Sequence, residues 1–433
     1  MKVSKFGGTS LANADQIRRA LAIVRSDPER RYVVVSAPGK RGPQDQKITD
    51  LFYEWHRLSA LRLSSNEIQQ IIGTRYAEIV QDLGIEFNLK SELADISSRI
   101  NSGASSDYAA SRGEYLNGKI IALALGYEFI DPATCICFDR HGRYLKADDK
   151  LRSAIQGRRT VIPGFYGSLP DGSIKTFSRG GSDITGAIVA RAIGASLYEN
   201  WTDVSGLLMA DPRVVEHPNK IEVVTYGELR ELSYMGANVF HEEAMFPVQE
   251  AGIPTCIRNT NDPSDSGTHI VADGSPRKDP RVITGIAGRK NFTVITVEKV
   301  MMNQQIGFVR RILTVLEANG ISFEHMPSGI DTLSVIIDDR QLNGKLQKVL
   351  DEVKAECSPD KIEAEPGMAM IAIVGQAMSH KPGVAADIFA ALAKEKINIR
   401  MINQGSSEIS IIVGVENADY ERAIRAIYRA FVK

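Results

Sequence analysis

The sequence predicts an α/β protein in which an open, mostly parallel sheet lies between helix layers and is followed by two ferredoxin-like βαββα domains. Three observations lead there. From residue 1 to about 285, β-branched runs alternate with helical patterns, as parallel strands joined by helices require. Residues 262–280 then hold Pro263, Gly267, Gly274, Pro276 and Pro280 among polar side chains, which marks a boundary. Beyond it the chain repeats itself, each matched residue lying 76 positions after its counterpart.

The first element is a very short strand running into Lys5-Phe6-Gly7-Gly8-Thr9-Ser10. A helix is expected over 11–26, with Ile17, Leu21 and Val24 on one face and Pro28 just past its end. Tyr32 to Ser36 reads as the next strand, 182–193 as a helix rich in Ala and Ile, and Leu197 to Trp201 as an apolar-aromatic run. These elements belong to a first domain over 1–285. In the repeat, Gly307 matches Gly383, Phe308 matches Val384, Ile312 matches Ile388, Leu316 matches Leu392 and Ile321 matches Ile397. Each copy reads strand, helix, strand, strand, helix, in the first at 292–298, 307–319, 321–326, 332–337 and 341–355. The copies are expected at 290–364 and 367–433, with boundaries that can interleave.

Bulk composition narrows the function. The 433 residues suit two to four domains, and 43% hydrophobic with 24% charged residues is ordinary for a globular chain. A net charge of -1 offers no broad attraction to nucleic acid or anionic lipid, so charged ligands must be held locally. No apolar run is long enough to span a membrane and no signal-peptide pattern opens the chain, so a cytoplasmic location is expected. Cys135, Cys137, Cys256 and Cys357 lack disulfide or zinc spacing and read as reduced thiols. His241-Glu242-Glu243 lacks the second histidine of a helical zinc motif, so no metal site made of protein alone is expected.

Two Gly-rich turns carry the chemistry. In the first, Gly7 and Gly8 are expected to expose consecutive N–H groups while Ser10 caps the following helix. In the second, Thr176-Phe177-Ser178-Arg179-Gly180-Gly181-Ser182-Asp183 places a cation, two glycines and a carboxylate before a helix. Such turns can face each other across the carboxyl ends of the strands, where ligands of open sheets bind. A third string, Trp201-Thr202-Asp203-Val204-Ser205-Gly206, leads to Asp211-Pro212-Arg213. Taken alone, each is also an ordinary turn.

Together, K-F-G-G-T-S, S-R-G-G-S-D, W-T-D-V with D-P-R, and the terminal repeat resemble the aspartate kinases, within the amino-acid kinase family, from residue 2 to the end. The repeat resembles paired ACT domains, which sense amino acids. The resemblance implies transfer of the ATP γ-phosphoryl, with Mg2+, to the side-chain carboxylate of L-aspartate. It implies 4-phospho-L-aspartate as the product, formed in the first step of lysine, threonine and methionine biosynthesis. A carboxylate with a pKa of about 3.9 is already an ionised nucleophile at neutral pH, so the site needs alignment and positive charge rather than a general base.

The resemblance also distributes roles. Lys5, Gly7, Gly8 and Ser10 are expected at the phosphates, with Asp183 orienting the lysine and the metal–nucleotide complex. Arg179 can grip the substrate α-carboxylate through two parallel hydrogen bonds, and Glu114 can take the ammonium. On pattern alone Glu114 is an exposed helical charge. Thr49, Phe165, Thr176 and Ser182 match further substrate positions, and Thr202, Asp203, Asp211 and Arg213 match the nucleotide side. Where many members read G-I-Y and F-G-A-K, this chain has Leu208 and Asn238 at two nucleotide contacts, without an aromatic face or an ammonium. Met302, Gln305, Gly307, Phe308, Val309, Ser328 and Asp331 are expected at an effector site, with lysine the preferred ligand and threonine the alternative. Asp331 could meet a ligand ammonium or cap its own turn. A homodimer or homotetramer built through the ACT domains is implied, with no nucleic-acid partner. Alternatives are a non-catalytic amino-acid sensor, motivated by Leu208 and Asn238, or a kinase for another small carboxylate.

Overall fold

The structure, a computed structural model, describes all residues except 179, 238–241, 276–280 and 433, and only the backbone at 242 and 243. The chain divides into two compact units. The first takes in Met1–Leu207, Lys220–Leu229 and Asn238–Lys278, and the second Leu208–Asn219, Arg230–Ala237 and Asp279–Lys433.

The first unit is built on a large sheet of eight strands: β1 (Lys2–Phe6), β2 (Arg30–Val35), β3 (Glu128–Phe129), β4 (Thr160–Pro163), β5 (Leu197–Thr202), β6 (Val223–Thr225), β7 (Thr255–Asn259) and β8 (Thr268–Val271). Their order is β6-β8-β7-β5-β1-β2-β4-β3, and β7 through β3 run parallel. β8 lies within the stretch predicted to be a boundary. Its Thr-His-Ile-Val run is too short to stand out among turn residues, yet it pairs antiparallel with β7.

Helices cover both faces. On one lie α1 (Ala14–Arg25), α2 (Ile48–Ala60), α3 (Asn66–Leu83), α4 (Leu89–Asn101) and α5 (Ser106–Leu125). On the other lie α6 (Asp148–Ile155), α7 (Gly181–Ile193) and α9 (Glu242–Glu250), while α8 (Tyr226–Tyr234) follows β6. Alternation along β1 and β5 decides which side chain faces which layer. Phe6 stacks on Trp201 with ring centroids 6.1 Å apart in the α1–α5 core. On that face Arg30 closes a two-point ion pair on Glu199, at 2.7 and 3.0 Å, and Ser4 and Trp201 donate to the same carboxylate. Burial pushes the Glu199 pKa up, but the Arg30 contact and the two neutral donors outweigh it and leave the carboxyl below its usual range. Lys5 and Asn200, one residue along each strand, point the other way, toward α7.

The expected helix at 11–26 begins later than predicted. Thr9–Leu11 forms a single 3-10 turn, and Asn13, not Ser10, caps α1 by accepting from the Gln16 N–H at 3.0 Å. Ser10 is instead buried, with its hydroxyl 2.7 Å from that of Thr260.

The C-terminal repeat forms one five-stranded sheet from β9 (Gly285–Glu298), β10 (Thr332–Asp338), β11 (Lys361–Val374), β12 (Met401–Gln404) and β13 (Ser410–Glu416), in the order β10-β9-β11-β13-β12. Helices α10 (Phe308–Ala318), α11 (Asp339–Leu342) and α12 (Leu346–Cys357) serve the first copy, and α13 (Val384–Lys394) and α14 (Tyr420–Phe431) the second. Left-handed backbone recurs at repeat-equivalent positions: Asn291 with Gly367, Gly307 with Gly383, and Gly320 with Lys396. Only Gly adopts this conformation freely, so its recurrence at one offset is a backbone record of duplication. The copies meet along antiparallel β9 and β11, where Gly285 pairs with Val374 and Glu298 with Lys361. Exchanging the copies maps that register onto itself. The strand predicted at 321–326 is reduced to bridges from His325 to Ile336 and Ser328 to Leu333, because Pro327 lacks an N–H and interrupts the edge.

Candidate active site

At the carboxyl ends of β1, β2, β4 and β5 four backbone segments converge. Gly7 extends the ladder, its N–H donating to the Trp201 carbonyl at 2.9 Å. That N–H is therefore not offered to a ligand, contrary to the sequence expectation. Gly8 and Thr9 come next, and among the described residues their N–H groups have no hydrogen-bond partner. The segment after β2 presses on this loop: Gly39 donates its N–H to the Gly8 carbonyl at 2.7 Å, and a Cβ on Gly39 would stand 2.4 Å from the Gly8 carbonyl carbon. Only glycine allows backbone to approach backbone so closely. Arg75 on α3 holds the Gly39 segment by bonding its carbonyl and pairing with Asp45 at 2.7 Å.

The second Gly-rich turn arrives from the far side. Gly180, with φ of 69°, starts α7 without a side-chain cap and sets Asp183 in the first turn. Asp183 Oδ1 lies 2.5 Å from Lys5 Nζ, so the two turns predicted to face each other are joined by an ion pair. Asn200 Nδ2 donates to the same oxygen at 2.9 Å. The arrangement puts a nearly buried ammonium beside free loop amides and a helix N-terminus, all suited to phosphate.

Glu114 is a buried residue rather than the exposed charge its helical pattern suggests. Gly113 makes this possible, since a Cβ there would meet that of Ala37 at 2.9 Å, and α5 thus lies tight on the segment after β2. Burial pushes the Glu114 pKa to about 8, only partly opposed by backbone N–H donors. Among the described residues its Oε2 has no hydrogen-bond partner.

Phe165 and Thr176 line a cavity of about 730 Å³ with Tyr53, Phe138, Phe177 and Ser178. Phe165 holds a φ of 82°, costly for an aromatic residue, and its N–H donates to Thr185 Oγ1 at 3.1 Å. Thr176 Oγ1 donates to Asp107 Oδ1 at 2.7 Å, which leaves that hydroxyl only acceptor capacity toward a ligand. Ser182 is buried against Gly164 at the start of α7, and Thr49 is half-buried in the first turn of α2. Thr202 bonds its neighbour Asp203 at 3.2 Å at the end of β5. Arg179 and Asn238 lie outside the described residues, as does His241.

Leu208, Asp211 and Arg213 belong to the second unit. There Arg213 folds back on Asp211, at 2.6 Å, and this contact holds the Asp211 carboxyl below its ordinary range. Leu208 is exposed. In the first repeat, Asp331 Oδ1 accepts from the Met301 N–H at 2.8 Å, so it holds the turn that leads into α10, 30 residues back, rather than its own. Gly307 starts α10 in left-handed backbone, with Val309 half-buried in its first turn; Gln305 is half-buried and Ser328 exposed. Met302 and Phe308 are buried in the core of the repeat, which leaves their backbones rather than their side chains for an effector.

Sequence reasoning missed Gly39, Asp107 and Asn200. Each acts across a long separation, as Thr176 and Asp107 do at 69 residues, and none stands in a string that marks it.

Comparison with known proteins agrees with this fold. Residues 1–259 match the profile of the amino acid kinase family and 371–431 that of the ACT domain. Aspartokinase 3 of Bacillus subtilis is 38% identical over 449 residues, covering 100% of this chain and 98% of that protein. Lysine-sensitive aspartokinase 3 of Escherichia coli is 29% identical, with 98% of each covered. Among solved structures, Clostridium acetobutylicum aspartate kinase superposes with a TM-score of 0.93 at 51% identity, over 99% of both chains. E. coli aspartokinase III in complex with aspartate and ADP superposes at 0.72 with 27% identity, over 100% of both. Fold and site define a member of the amino acid kinase family with a C-terminal ACT unit. Within that family, the chain belongs to the aspartokinases.

Proposed function

We propose that the protein transfers the γ-phosphoryl group of ATP to the side-chain carboxylate of L-aspartate, giving 4-phospho-L-aspartate and ADP. The observation that carries this reading is the 2.5 Å pair of Lys5 and Asp183, which joins two Gly-rich turns at the carboxyl edge of the sheet. A carboxylate oxygen of the substrate forms a bond to the γ-phosphorus while the bond to the β,γ-bridging oxygen breaks, and the electron pair leaves with ADP. Lys5 and the Gly8 and Thr9 amides meet the charge on the transferring group. Gly7 and Ser10 shape this loop without donating to the phosphates. Thr202 and Asp203, at the end of β5, are placed for the nucleotide. Glu114 takes the substrate ammonium with Thr176, while Ser182, Phe165, Thr49 and Arg179 complete the acceptor site. Lys5 beside a partly exposed Asp183 carboxylate is a donor set that fits a metal-bound polyphosphate, and Mg2+ supplies further positive charge there when bound.

The E. coli relative has been solved with lysine and aspartate in a T-state, which supports lysine as the effector here. We place its site on the Met302–Val309 turn, with Ser328 and Asp331, in a cytoplasmic homodimer or homotetramer paired through the repeats. No described helix is long and apolar enough to cross a membrane.

Incubation with ATP, Mg2+, aspartate and hydroxylamine is expected to yield aspartyl hydroxamate, and glutamate is expected to yield far less. No product at high enzyme concentration removes the assignment. Lysine is expected to inhibit, and Asp331→Ala to weaken that inhibition by about tenfold, one lost charge-assisted contact. Unchanged inhibition in the variant removes Asp331 from the effector site. At the loop, Gly39→Ala is expected to lower kcat/KM for ATP by about 10- to 100-fold, because the Gly8 backbone must shift. A wild-type value would mean that the two loops need not touch.

A further inference from the structure

Strand β5 presents two side chains of one face, Tyr198 and Asn200, to the first turn of α7. The Tyr198 hydroxyl donates to the Asp183 backbone carbonyl at 3.1 Å, and a Cβ on Gly186 would stand 2.5 Å from that hydroxyl, so strand and helix are tightly apposed. Asn200 reaches the Asp183 side chain itself: Nδ2 donates to Oδ1 at 2.9 Å, while Oδ1 of the amide accepts from Lys5 Nζ at 3.4 Å. A buried amide is costly unless both its ends are bonded. Here both are, each to a charged group of the candidate site.

We propose that Asn200 is a positioning residue for phosphoryl transfer, which keeps the Asp183 carboxylate in place as Lys5 turns from it toward the transferring phosphoryl group. In the resting chain Lys5 and Asn200 share one oxygen of Asp183. Lys5 cannot give its full charge to phosphate oxygens while a carboxylate holds it at 2.5 Å. As that pair loosens, Asp183 loses its nearest cation, and Asn200 remains as its donor. A neutral donor does this without a second cation that would compete for the phosphate or a second anion that would hold Lys5 back. Tyr198 fixes the backbone of the same residue, so helix turn and carboxylate are steadied from one strand. The residue pattern supports the role, since Lys5 and Asn200 are register partners on β1 and β5 and reach α7 together.

The proposal rests on the assignment of Lys5 and Asp183 to the reaction, and the test separates the two. Full-length Asn200→Leu, Asn200→Asp and Asp183→Ala are compared with wild type in steady-state kinetics and thermal melting. Leu keeps the shape but removes both hydrogen bonds, and Asp keeps the acceptor but removes the donor. Both Asn200 variants are expected to lower kcat by about 10- to 100-fold, while KM for aspartate stays within about threefold. If Asp183→Ala loses kcat but the Asn200 variants keep theirs within about threefold, the role of Asn200 is overturned and the assignment stands. A kcat loss that comes only with a raised KM and a lowered melting temperature also overturns it, as a structural effect. Wild-type kcat in Asp183→Ala overturns the assignment itself.

Discussion

Lys5→Met is expected to lower kcat by about 10²- to 10³-fold and to leave KM for aspartate nearly unchanged, because a cation aimed at charge that develops in the transition state is lost. The methionine preserves most of the volume of a nearly buried side chain, so loss of packing does not account for the result. Asp183→Ala is expected to have an effect of similar size. Because the two groups form one ion pair, the double variant should be little worse than the poorer single one. Rapid-quench and steady-state assays check both statements. A parallel rise in KM for aspartate would move Lys5 from the phosphoryl group to the acceptor.

Glu114→Gln is expected to have the second large effect, one that pH reveals. With its pKa at about 8, the resting Glu114 is mostly protonated at neutral pH, yet it must be ionised to hold an ammonium. KM for aspartate is therefore expected to fall by nearly tenfold per pH unit up to about pH 7 and to level off only above about pH 8. In Glu114→Gln that slope disappears and KM is high throughout. Stability moves the other way. Between pH 4.5 and about 8 the folded chain holds a proton on Glu114 that the unfolded chain has lost, so this residue makes stability fall as pH rises through that window. Glu114→Gln removes the fall, and its melting temperature gains on wild type from pH 5 to pH 8. A KM that is flat with pH in wild type would contradict the role.

How much of this was legible in the sequence depended on distance along the chain. The parallel sheet, the repeat and the two facing Gly-rich turns follow from local pattern, and the Lys5–Asp183 pair realises the expected geometry. Local signals also misled: Ser10 looks like a cap, but the 3-10 turn moves the helix start to Asn13. Residues 321–326 have strand composition, but Pro327 breaks the edge. The burial of Glu114 could not be read, because it depends on Gly113 meeting Ala37 from another element. Asn200 was hidden likewise, a polar residue within a strand pattern whose meaning comes only from what β1 and α7 bring to it.

The self-matching register of β9 and β11 has a consequence for how the regulatory half behaves. Each 14-residue strand is the other's main hydrogen-bonding neighbour, so neither repeat can be removed without exposing a long unpaired edge. The two repeats are therefore expected to melt as one cooperative block. A displacement begun at the Gly307 turn is then expected to reach the Gly383 copy through these shared backbone bonds, so that the pair responds as a single lever.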